Sequence, residues 1–343
     1  MTYVSLSTFT KRDIHLLSDD YQVIAYHFNT DKKWKLPFAF IMQAWFLIRN
    51  RNKIDLIVSQ SAGYLSFLPT IFYKITKKPL AIIAIGTDCI KMPEINYGAH
   101  NKMILAWFTR FSFRNATCIF PVHASLIAND YIYTNISYPQ QGIKAFVKNI
   151  KTPFVPIVNG FDTEQWKITS LERNPKSFLT VTTALSETGF YLKGIDMIFA
   201  FAQKNPFFQF TIVGQVYLKE SCPNNVSIIP QILHEKLVEI YNQHTYYLQL
   251  SLSEGFPNAL CEAMLCGCIP IGSHVAGIPD IIGLDGYVLK NKNIEELQEI
   301  SSKLDYKSIT PQQVRNRIVS NFPISRRKKE LIENLNKMLS HGF

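Results

Sequence analysis

Short apolar runs alternate along the whole chain with longer segments whose apolar positions recur at helical spacing. In the first half this pattern predicts strands at Tyr3–Ser7, Tyr21–Phe28, Asp55–Gln60, Pro79–Ile85 and Thr117–Val122, and helices at Lys11–Leu17, Pro37–Arg51, Gly63–Ile75 and His100–Phe113. Strands that alternate with helices are typical of βαβ units. The first half is therefore predicted to form a parallel sheet with helices packed against it.

The alternation stops at a turn-forming stretch that contains Asn159 and Gly160, and it then starts again. In the second half we predict strands at Phe178–Thr183, Phe208–Val213, Tyr246–Leu252 and Cys268–Gly272, and helices at Gly194–Lys204, Ala259–Gly267 and Arg326–Ser340. A chain of 343 residues suits two domains better than one core. We predict an α/β protein with domains at 1–160 and 161–325 and a C-terminal helix within 326–343.

The excess of positive charge lies in the first half of the chain. Residues 1–150 hold 17 Lys and Arg against 8 Asp and Glu, whereas the remainder holds 19 against 18. An uneven excess of this kind indicates that the first domain meets an anionic partner. The sequence contains no nucleic-acid recognition motif, so nucleic acid is not an expected partner.

The six cysteines are scattered, and no histidine stands at metal-finger spacing from them. We expect reduced thiols, no metal and no cofactor. The longest apolar stretch, Leu36–Ile48, is 13 residues long and contains Gln43, whereas a membrane span needs about 20 residues. The chain does not begin with the charge order of a secretory signal. A cytoplasmic location is the expectation.

The most informative stretch of chemistry is residues 251–280. Glu254 and Glu262 are eight positions apart, and Gly-Phe-Pro-Asn-Ala-Leu lies between them. Pro257 is placed as the first residue of a helix that follows a strand, a position that proline favours because it has no N–H to leave unpaired. The free amides of the next residues make an anion site. Two carboxylates beside such a site suit a ligand with phosphates and hydroxyls, such as a nucleotide sugar.

The same stretch, read as Ser-Glu-Gly-Phe-Pro-Asn-Ala-Leu-Cys-Glu-Ala-Met and continuing to Ala276-Gly277-Ile278-Pro279-Asp280, resembles the E-x7-E region of retaining glycosyltransferases of family 4. The resemblance implies the GT-B fold, in which two Rossmann-like domains face a central cleft. The second domain would bind a nucleoside-diphosphate sugar as substrate. The first would bind the acceptor, and the C-terminal helix would pack back on it.

The resemblance also assigns roles to residues of the second domain. Lys193, followed by Gly194, would supply a cation to the donor diphosphate, and Glu262 would accept hydrogen bonds from the ribose. Glu254 would lie near the transferred sugar and stabilise positive charge as it develops. The remaining donor-binding candidates would offer backbone amides: Gly255, Phe256, Asn258, Ala259 and Leu260. The family implies no metal, and no DxD-type pair is present near the site.

Further candidates are placed at the cleft. Asp88 follows the strand Pro79–Ile85 at its carboxyl end, where ligands bind in open α/β sheets. It is a candidate catalytic residue that would orient the acceptor hydroxyl or contact the donor sugar, and the alternative is a helix cap or turn residue. His123 follows the next strand and is either a cleft residue or a cap. Thr183 is placed to donate to phosphate, and Thr10 stands in a first loop that lacks the family's glycines.

The chain departs from the family pattern at two positions. The loop before Lys193 contains no arginine, and Glu187 stands six residues before the lysine. Ile85 stands where many relatives have a histidine. Two functions therefore remain open: a retaining glycosyltransferase that acts on a glycan or lipid-linked acceptor, in cell-surface polysaccharide or lipopolysaccharide synthesis, and a non-catalytic GT-B protein that binds or regulates another transferase.

The segment Lys32–Lys53 places an almost wholly apolar helix between basic residues. A helix that is apolar all round is typical of a core. The alternative is a peripheral contact with an anionic membrane, with the lysines at the headgroups.

Overall fold

The structure is a computed structural model that describes residues 1–29, 32–170, 172–218, 221–304 and 308–340. Its strands are β1 Thr2–Tyr3, β2 Tyr26–His27, β3 Ile57–Gln60, β4 Leu80–Ala84, β5 Cys118–Pro121, β6 Asn129–Asp130, β7 Gln140–Gln141, β8 Asn174–Val181, β9 Gln209–Val213, β10 Val226–Ile229, β11 His244–Gln249, β12 Ile269–Ser273 and β13 Tyr287–Leu289. Its α-helices are α1 Thr8–Ser18, α2 Leu36–Arg49, α3 Tyr64–Thr76, α4 Met103–Asn115, α5 Ile143–Phe146, α6 Glu187–Leu192, α7 Ile195–Lys204, α8 Leu237–Gln243, α9 Asn258–Leu265, α10 Ile278–Ile282, α11 Ile294–Ser302, α12 Pro311–Asn321 and α13 Ile324–Ser340.

Two parallel sheets organise the chain, one in each half. The first has the strand order β2-β1-β3-β4-β5 and the second the order β10-β9-β8-β11-β12-β13. Five strands are buried along their whole length: β3, β4, β5, β11 and β12. Continuous burial on both faces is what parallel strands between helices require. The predicted α/β architecture is confirmed.

The first two strands along the chain are shorter than predicted. β1 ends at Tyr3, because Ser7 already serves as the N-cap of α1, where its hydroxyl accepts from the Thr10 amide at 3.2 Å. Helix α1 consequently starts at Thr8, earlier than its apolar pattern indicated. A capping serine satisfies an amide that the first helical turn leaves free, and it competes with strand continuation.

The chain crosses between the two sheets twice, and the two crossings lie side by side. The Phe161 amide donates to the Phe322 carbonyl, and the Ile324 amide donates to the Phe161 carbonyl, both at 3.0 Å. The second crossing leads directly into α13. The domain bounds that we predicted fall close to these crossings, and they remain a prediction.

Helix α13 packs on α1, a helix of the half of the chain that contains the first sheet. Arg327 makes two 2.7 Å contacts with the Asp13 carboxylate, and it donates to the carbonyls of Ile157 and Val158. Both side chains of the Asp13–Arg327 pair are at most 1% exposed. The C-terminal helix is therefore fixed to the first domain by a buried ion pair.

Helix α2 is not a core helix. Its buried residues are Gln43 and Leu47, whereas its outer face exposes Phe38, Ile41, Met42, Trp45 and Ile48, each by more than half. No helix in the described parts of the chain is both long and apolar enough to cross a membrane.

Candidate functional site

A cavity of about 380 Å³ opens between the two halves at the carboxyl ends of β8 and β9. Thr182, Thr183 and Gly214 line it on that side, and Ser7 and Thr8 line it from the first domain. Ligands of open α/β sheets bind beyond the carboxyl ends of the strands. The structure places Thr183, a predicted cleft residue, in the wall of this cavity.

Glu262 forms one wall of this cavity although its side chain is only 4% exposed. Its Oε1 lies 3.1 Å from His234 Nε2, and its Oε2 accepts from the Tyr241 hydroxyl at 3.5 Å. Burial raises the pKa of Tyr241, so the hydroxyl keeps its proton and donates. The carboxylate is held in one orientation and keeps acceptor capacity for a ligand hydroxyl.

Lys193 and Glu254 form an ion pair at 2.8 Å, with side chains 27% and 15% exposed. Burial alone would lower the pKa of Lys193, but the adjacent Glu254 carboxylate outweighs it and the pKa is raised. Ser251 Oγ donates to the same Glu254 oxygen at 2.9 Å, and Gln249 Nε2 lies 3.3 Å from it. The two residues that the family resemblance singled out for diphosphate and sugar are therefore neighbours.

The backbone after Lys193 requires a glycine at position 194. Its φ is +71°, and a Cβ at this position would lie 2.2 Å from the Leu250 carbonyl oxygen. A residue with a side chain would push α7 away from β11. Close approach of these elements is what brings Lys193 beside Glu254.

Helix α9 starts at Asn258, and Pro257 is its N-cap, one position before the helix rather than its first residue as predicted. Asn258 and Ala259 line the cavity, while Leu260 is fully buried and offers only its amide. Asn258 Oδ1 accepts from Asn159 Nδ2 at 3.0 Å, a contact between the domains. The helix thus presents its N-terminal amides to the same space as Glu262.

The loop between the two glutamates touches the first domain directly. A Cβ at Gly255 would lie 2.0 Å from the Ile85 carbonyl oxygen, so only glycine fits there. The Phe256 ring is buried and packs on Phe161 and Phe322, with centroids 6.3 and 5.3 Å away. Phe256 therefore anchors the loop by its side chain and has only its backbone for a ligand.

Asp88 does not face the cleft. It is 1% exposed, and its carboxylate accepts from the amides of Ala62 at 2.9 Å, Ile85 at 3.2 Å and Gly86 at 3.1 Å. Burial raises its pKa, while the amide hydrogen bonds oppose that rise. The proposal that Asp88 is catalytic is corrected accordingly: its oxygens are used to hold the turn after β4, the alternative that the sequence left open.

Thr10 is also buried, and its hydroxyl lies 2.6 Å from Gln60 Oε1 and 2.8 Å from the Ser5 carbonyl oxygen. It holds the loop after β1 rather than lining the cavity, which corrects its assignment as a cleft residue. Ser7 and Thr8 take the place in the cavity that was expected of it.

His123 lies at the contact between the domains. Its Nδ1 accepts from the Ser125 amide at 3.2 Å, and its Nε2 lies 3.0 Å from Asp280 Oδ2 in the second domain. Burial lowers the pKa of His123, partly offset by Asp280. It is a capping residue that also joins the domains, and it does not line the cavity at Glu262.

Sequence reasoning missed two neighbours of Glu262, His234 and Arg12. His234 comes from a 3₁₀ turn before α8, and its place beside Glu262 depends on the packing of α8 against β11. Arg12 comes from α1 of the other domain, where its guanidinium lies 5.1 Å from the Phe161 ring centroid. Burial lowers the pKa of Arg12, and the negative charge of Glu262 opposes this, so the two groups interact. No local motif marks either residue.

The structure is similar to solved structures of other proteins. The structure is similar over 98% of both chains to Anabaena Alr3699/HepE in complex with UDP and glucose, with a TM-score of 0.69 and 16% identity. It also resembles the lipopolysaccharide outer core galactosyltransferase WaaB in its apo form, over 98% of this chain and 97% of that one, with a TM-score of 0.67 and 14% identity. The chain has the GT-B fold. The predicted fold class, two Rossmann-like domains about a cleft, is confirmed.

Residues 189–304 match the family model of glycosyl transferases group 1. Over 120 residues the chain is 28% identical to the phosphatidylinositol N-acetylglucosaminyltransferase gpi3 subunit of Schizosaccharomyces pombe, which is 31% of this chain and 26% of that protein. Over 69 residues it is 28% identical to the Escherichia coli serotype-specific mannosyltransferase WbdA, 20% of this chain and 8% of that one. The matched segments thus span 26% and 8% of these relatives. The segment that matches the family model contains Lys193, Glu254 and Glu262.

Proposed function

We propose that this protein is a retaining glycosyltransferase that moves a hexosyl group from a nucleoside-diphosphate sugar to a hydroxyl of a glycan or lipid-linked acceptor. The observation that carries the proposal is the inter-domain cavity lined by Glu262 and the N-terminus of α9, together with the Lys193–Glu254 ion pair, whose glutamate lies in the loop that leads into α9. A matching family model over residues 189–304 and UDP-bound structural neighbours support it.

Each group has a task that its chemistry suits. Glu262 accepts hydrogen bonds from the ribose hydroxyls and exchanges part of its contact with His234 for them. The amides of Asn258, Ala259 and Leu260 stabilise the diphosphate, as helix N-termini do for anions. Lys193 supplies positive charge to the leaving diphosphate, so that no divalent metal is required for departure.

Glu254 is the residue that we assign to the transferred sugar. Its charge is balanced by Lys193. When the diphosphate engages Lys193, the carboxylate is free to bind a sugar hydroxyl and to stabilise the positive charge that develops at the anomeric carbon. The pair therefore joins donor binding to the arrangement of the reacting sugar.

We assign acceptor binding to the first domain, and we assign this domain to a membrane surface. The exposed face of α2 carries Phe38, Trp45 and Ile48, and Lys32 and Lys35 flank its start. Apolar residues at the lipid boundary with lysines at anionic headgroups are typical of peripheral binding. We assign the protein to the cytoplasmic face of a membrane, in the synthesis of a cell-surface polysaccharide or lipopolysaccharide. The names of WaaB and of the phosphatidylinositol enzyme support this acceptor class.

A thermal-shift screen against UDP-, GDP- and ADP-sugars tests the proposal. We expect one nucleotide class to raise the Tm, because a ligand that binds only the folded state stabilises it. A shift that vanishes in Glu262→Ala places the ligand in this cavity. Absence of any shift contradicts donor binding. A nucleotide sugar that binds but is never turned over, with any acceptor or with water, would favour the non-catalytic GT-B function, which the absent arginine before Lys193 also favours.

A further inference from the structure

A second large cavity, of about 540 Å³, lies on the first domain and takes no part in the donor site. Four of its ten lining residues are cations, and none is an acid: Lys91, Arg110, Arg114 and Lys148. We call these four residues and their cavity the basic pocket. Four like charges around one space repel each other, and an anion between them relieves that repulsion.

The cations of the basic pocket have no carboxylate partners among the described residues. The buried Nε of Arg110 has no hydrogen-bond partner in that part of the chain, and Lys91 Nζ lies over the Tyr138 ring, 3.8 Å from its centroid. Arg114 Nε donates to the Lys148 carbonyl oxygen at 3.3 Å, which fixes one arginine without balancing its charge. Guanidinium groups with free N–H donors are suited to phosphate oxygens, which they bind in a bidentate manner.

The positive field is strong enough to act on a neighbouring side chain. His100 is 3% exposed and stacks on Phe146, a residue of the pocket wall, with centroids 4.7 Å apart. Burial is the main cause that lowers the pKa of His100 to about 3, and the positive charges of Arg110 and Lys91 contribute to that decrease. The histidine is neutral, so the wall behind the pocket adds no charge of its own.

Helix α4 connects the basic pocket to an apolar surface. Met103, Trp107, Arg110 and Arg114 are spaced by four, three and four residues, which places them on one face of the helix. Met103 is 90% exposed and Trp107 is 55% exposed, and Ile104 beside them is 68% exposed. The same helix face is thus apolar at its N-terminal end and cationic at its C-terminal end, the complement of a lipid with an anionic head.

The pocket also lies next to the reaction centre. Lys91 and Gln141 are tied by two hydrogen bonds, from the Lys91 amide to Gln141 Oε1 at 3.0 Å and from Gln141 Nε2 to the Lys91 carbonyl oxygen at 2.9 Å. Lys91 lines the basic pocket, while Gln141 lines a small gap that Glu254 also lines. The pair forms the wall between the pocket and the Glu254 loop.

We propose that the basic pocket binds the phosphate or diphosphate of a lipid-linked acceptor, with the lipid chain along Met103, Ile104 and Trp107. The glycan end then extends past Gln141 towards Glu254. This assignment rests on the proposed transferase function, because it names the acceptor class of that reaction. It adds to the membrane contact of α2 a defined site for one headgroup.

Binding of farnesyl diphosphate, a soluble short-chain lipid diphosphate, tests the proposal by isothermal titration calorimetry. The double variant Arg110→Gln/Arg114→Gln should bind it at least about 10-fold more weakly than the wild type, since hydrogen bonds to charged groups are lost. The control variant Lys236→Gln/Lys329→Gln removes the same charge from exposed positions elsewhere and should bind like the wild type. Equal affinity of the wild type and the arginine variant, or no binding to either, overturns the proposal.

Two further ligands distinguish binding of the phosphate from binding of the lipid chain. Farnesol should bind at least about 10-fold more weakly than farnesyl diphosphate, and inorganic pyrophosphate should also bind more weakly. Farnesol binding as tightly as the diphosphate refutes the phosphate site, and pyrophosphate binding as tightly refutes the lipid part. Met103→Gln/Ile104→Gln should weaken farnesyl diphosphate binding and leave pyrophosphate binding unchanged. If this variant loses affinity for both ligands equally, or for neither, the proposed contact with the lipid chain is also refuted.

The donor is measured in the same variants, so that the two proposals fail separately. The arginine variant should keep the wild-type affinity for the nucleotide sugar and the wild-type thermal melt. If the wild type binds no nucleotide sugar but binds farnesyl diphosphate through Arg110 and Arg114, the proposed transferase function fails while the lipid-phosphate site is supported. If donor affinity falls together with lipid affinity in the arginine variant, the pocket is not an independent site and the proposal is refuted.

Discussion

The buried pair of Asp13 and Arg327 should make a large contribution to the attachment of the C-terminal helix. Arg327→Ala leaves the Asp13 carboxylate, which is fully buried, without its cation, and it frees the carbonyls of Ile157 and Val158 from their donor. Removing one partner of a buried ion pair costs about 3–5 kcal/mol, because the remaining charge is left uncompensated. We expect a loss of that size in the free energy of unfolding.

The neighbouring residue provides the control. Lys328→Ala, one position along the same helix, breaks a pair with Asp19 at 2.7 Å in which both side chains are about a third exposed or more. Exposed pairs contribute little to stability, because water and salt screen both charges. Urea unfolding monitored by circular dichroism compares the two variants. A double variant Asp13→Leu/Arg327→Met should be more stable than Arg327→Ala alone, since an apolar replacement leaves no buried charge.

A result in which Arg327→Ala and Lys328→Ala lose the same small free energy would refute the reasoning. It would mean that the ion pair is solvated in the protein or that α13 detaches from α1 without cost. The m-value must also stay constant between variants, because a changed m-value would indicate that α13 is already detached before the cooperative transition.

Four other predictions follow from the site and the exposed face of α2. Glu262→Ala should weaken donor binding by about 1.5–3 kcal/mol in calorimetry, while Glu235→Ala, on the exposed turn beside it, should leave the affinity unchanged. Glu254→Gln should lower kcat more than it raises KM for the donor, because its charge acts in the transition state; an effect on KM alone would contradict that role. EDTA should leave turnover unchanged, and activity restored only by magnesium or manganese would refute the metal-free mechanism. The protein should sediment with phosphatidylglycerol vesicles and not with neutral ones, and salt or Lys32→Gln/Lys35→Gln should release it, since each lysine near the surface contributes only about 1 kcal/mol.

The part of the site that the sequence predicted well is the part built from consecutive residues. Glu254, Gly255 and the start of α9 lie within one strand–loop–helix unit, so spacing along the chain determines their spacing in space. Lys193 was predicted by resemblance, and its contact with Glu254 depends on the close packing at Gly194, which is possible because glycine has no side chain.

The residues that were missed or misplaced depend on contacts between distant segments. Arg12 and His234 approach Glu262 from two other elements, and neither lies in a local motif. Asp88 was predicted to face the cleft because it follows a strand at its carboxyl end, but three backbone amides draw its carboxylate inwards. Periodicity indicated that α2 is apolar all round, and it carried no information about which neighbours would cover the outer face.

The first-formed anomer of the sugar released from the donor tests the central claim most directly. The protein is incubated with the nucleotide sugar found by thermal shift, with water as the acceptor, and ¹H NMR follows the anomeric proton before mutarotation. The account predicts release of nucleoside diphosphate together with a sugar of the donor's own anomeric configuration, and a much slower release by Glu254→Gln. An inverted first product would contradict retention. Release at equal rates by the wild type and Glu254→Gln would contradict the assignment of the chemistry to this cleft.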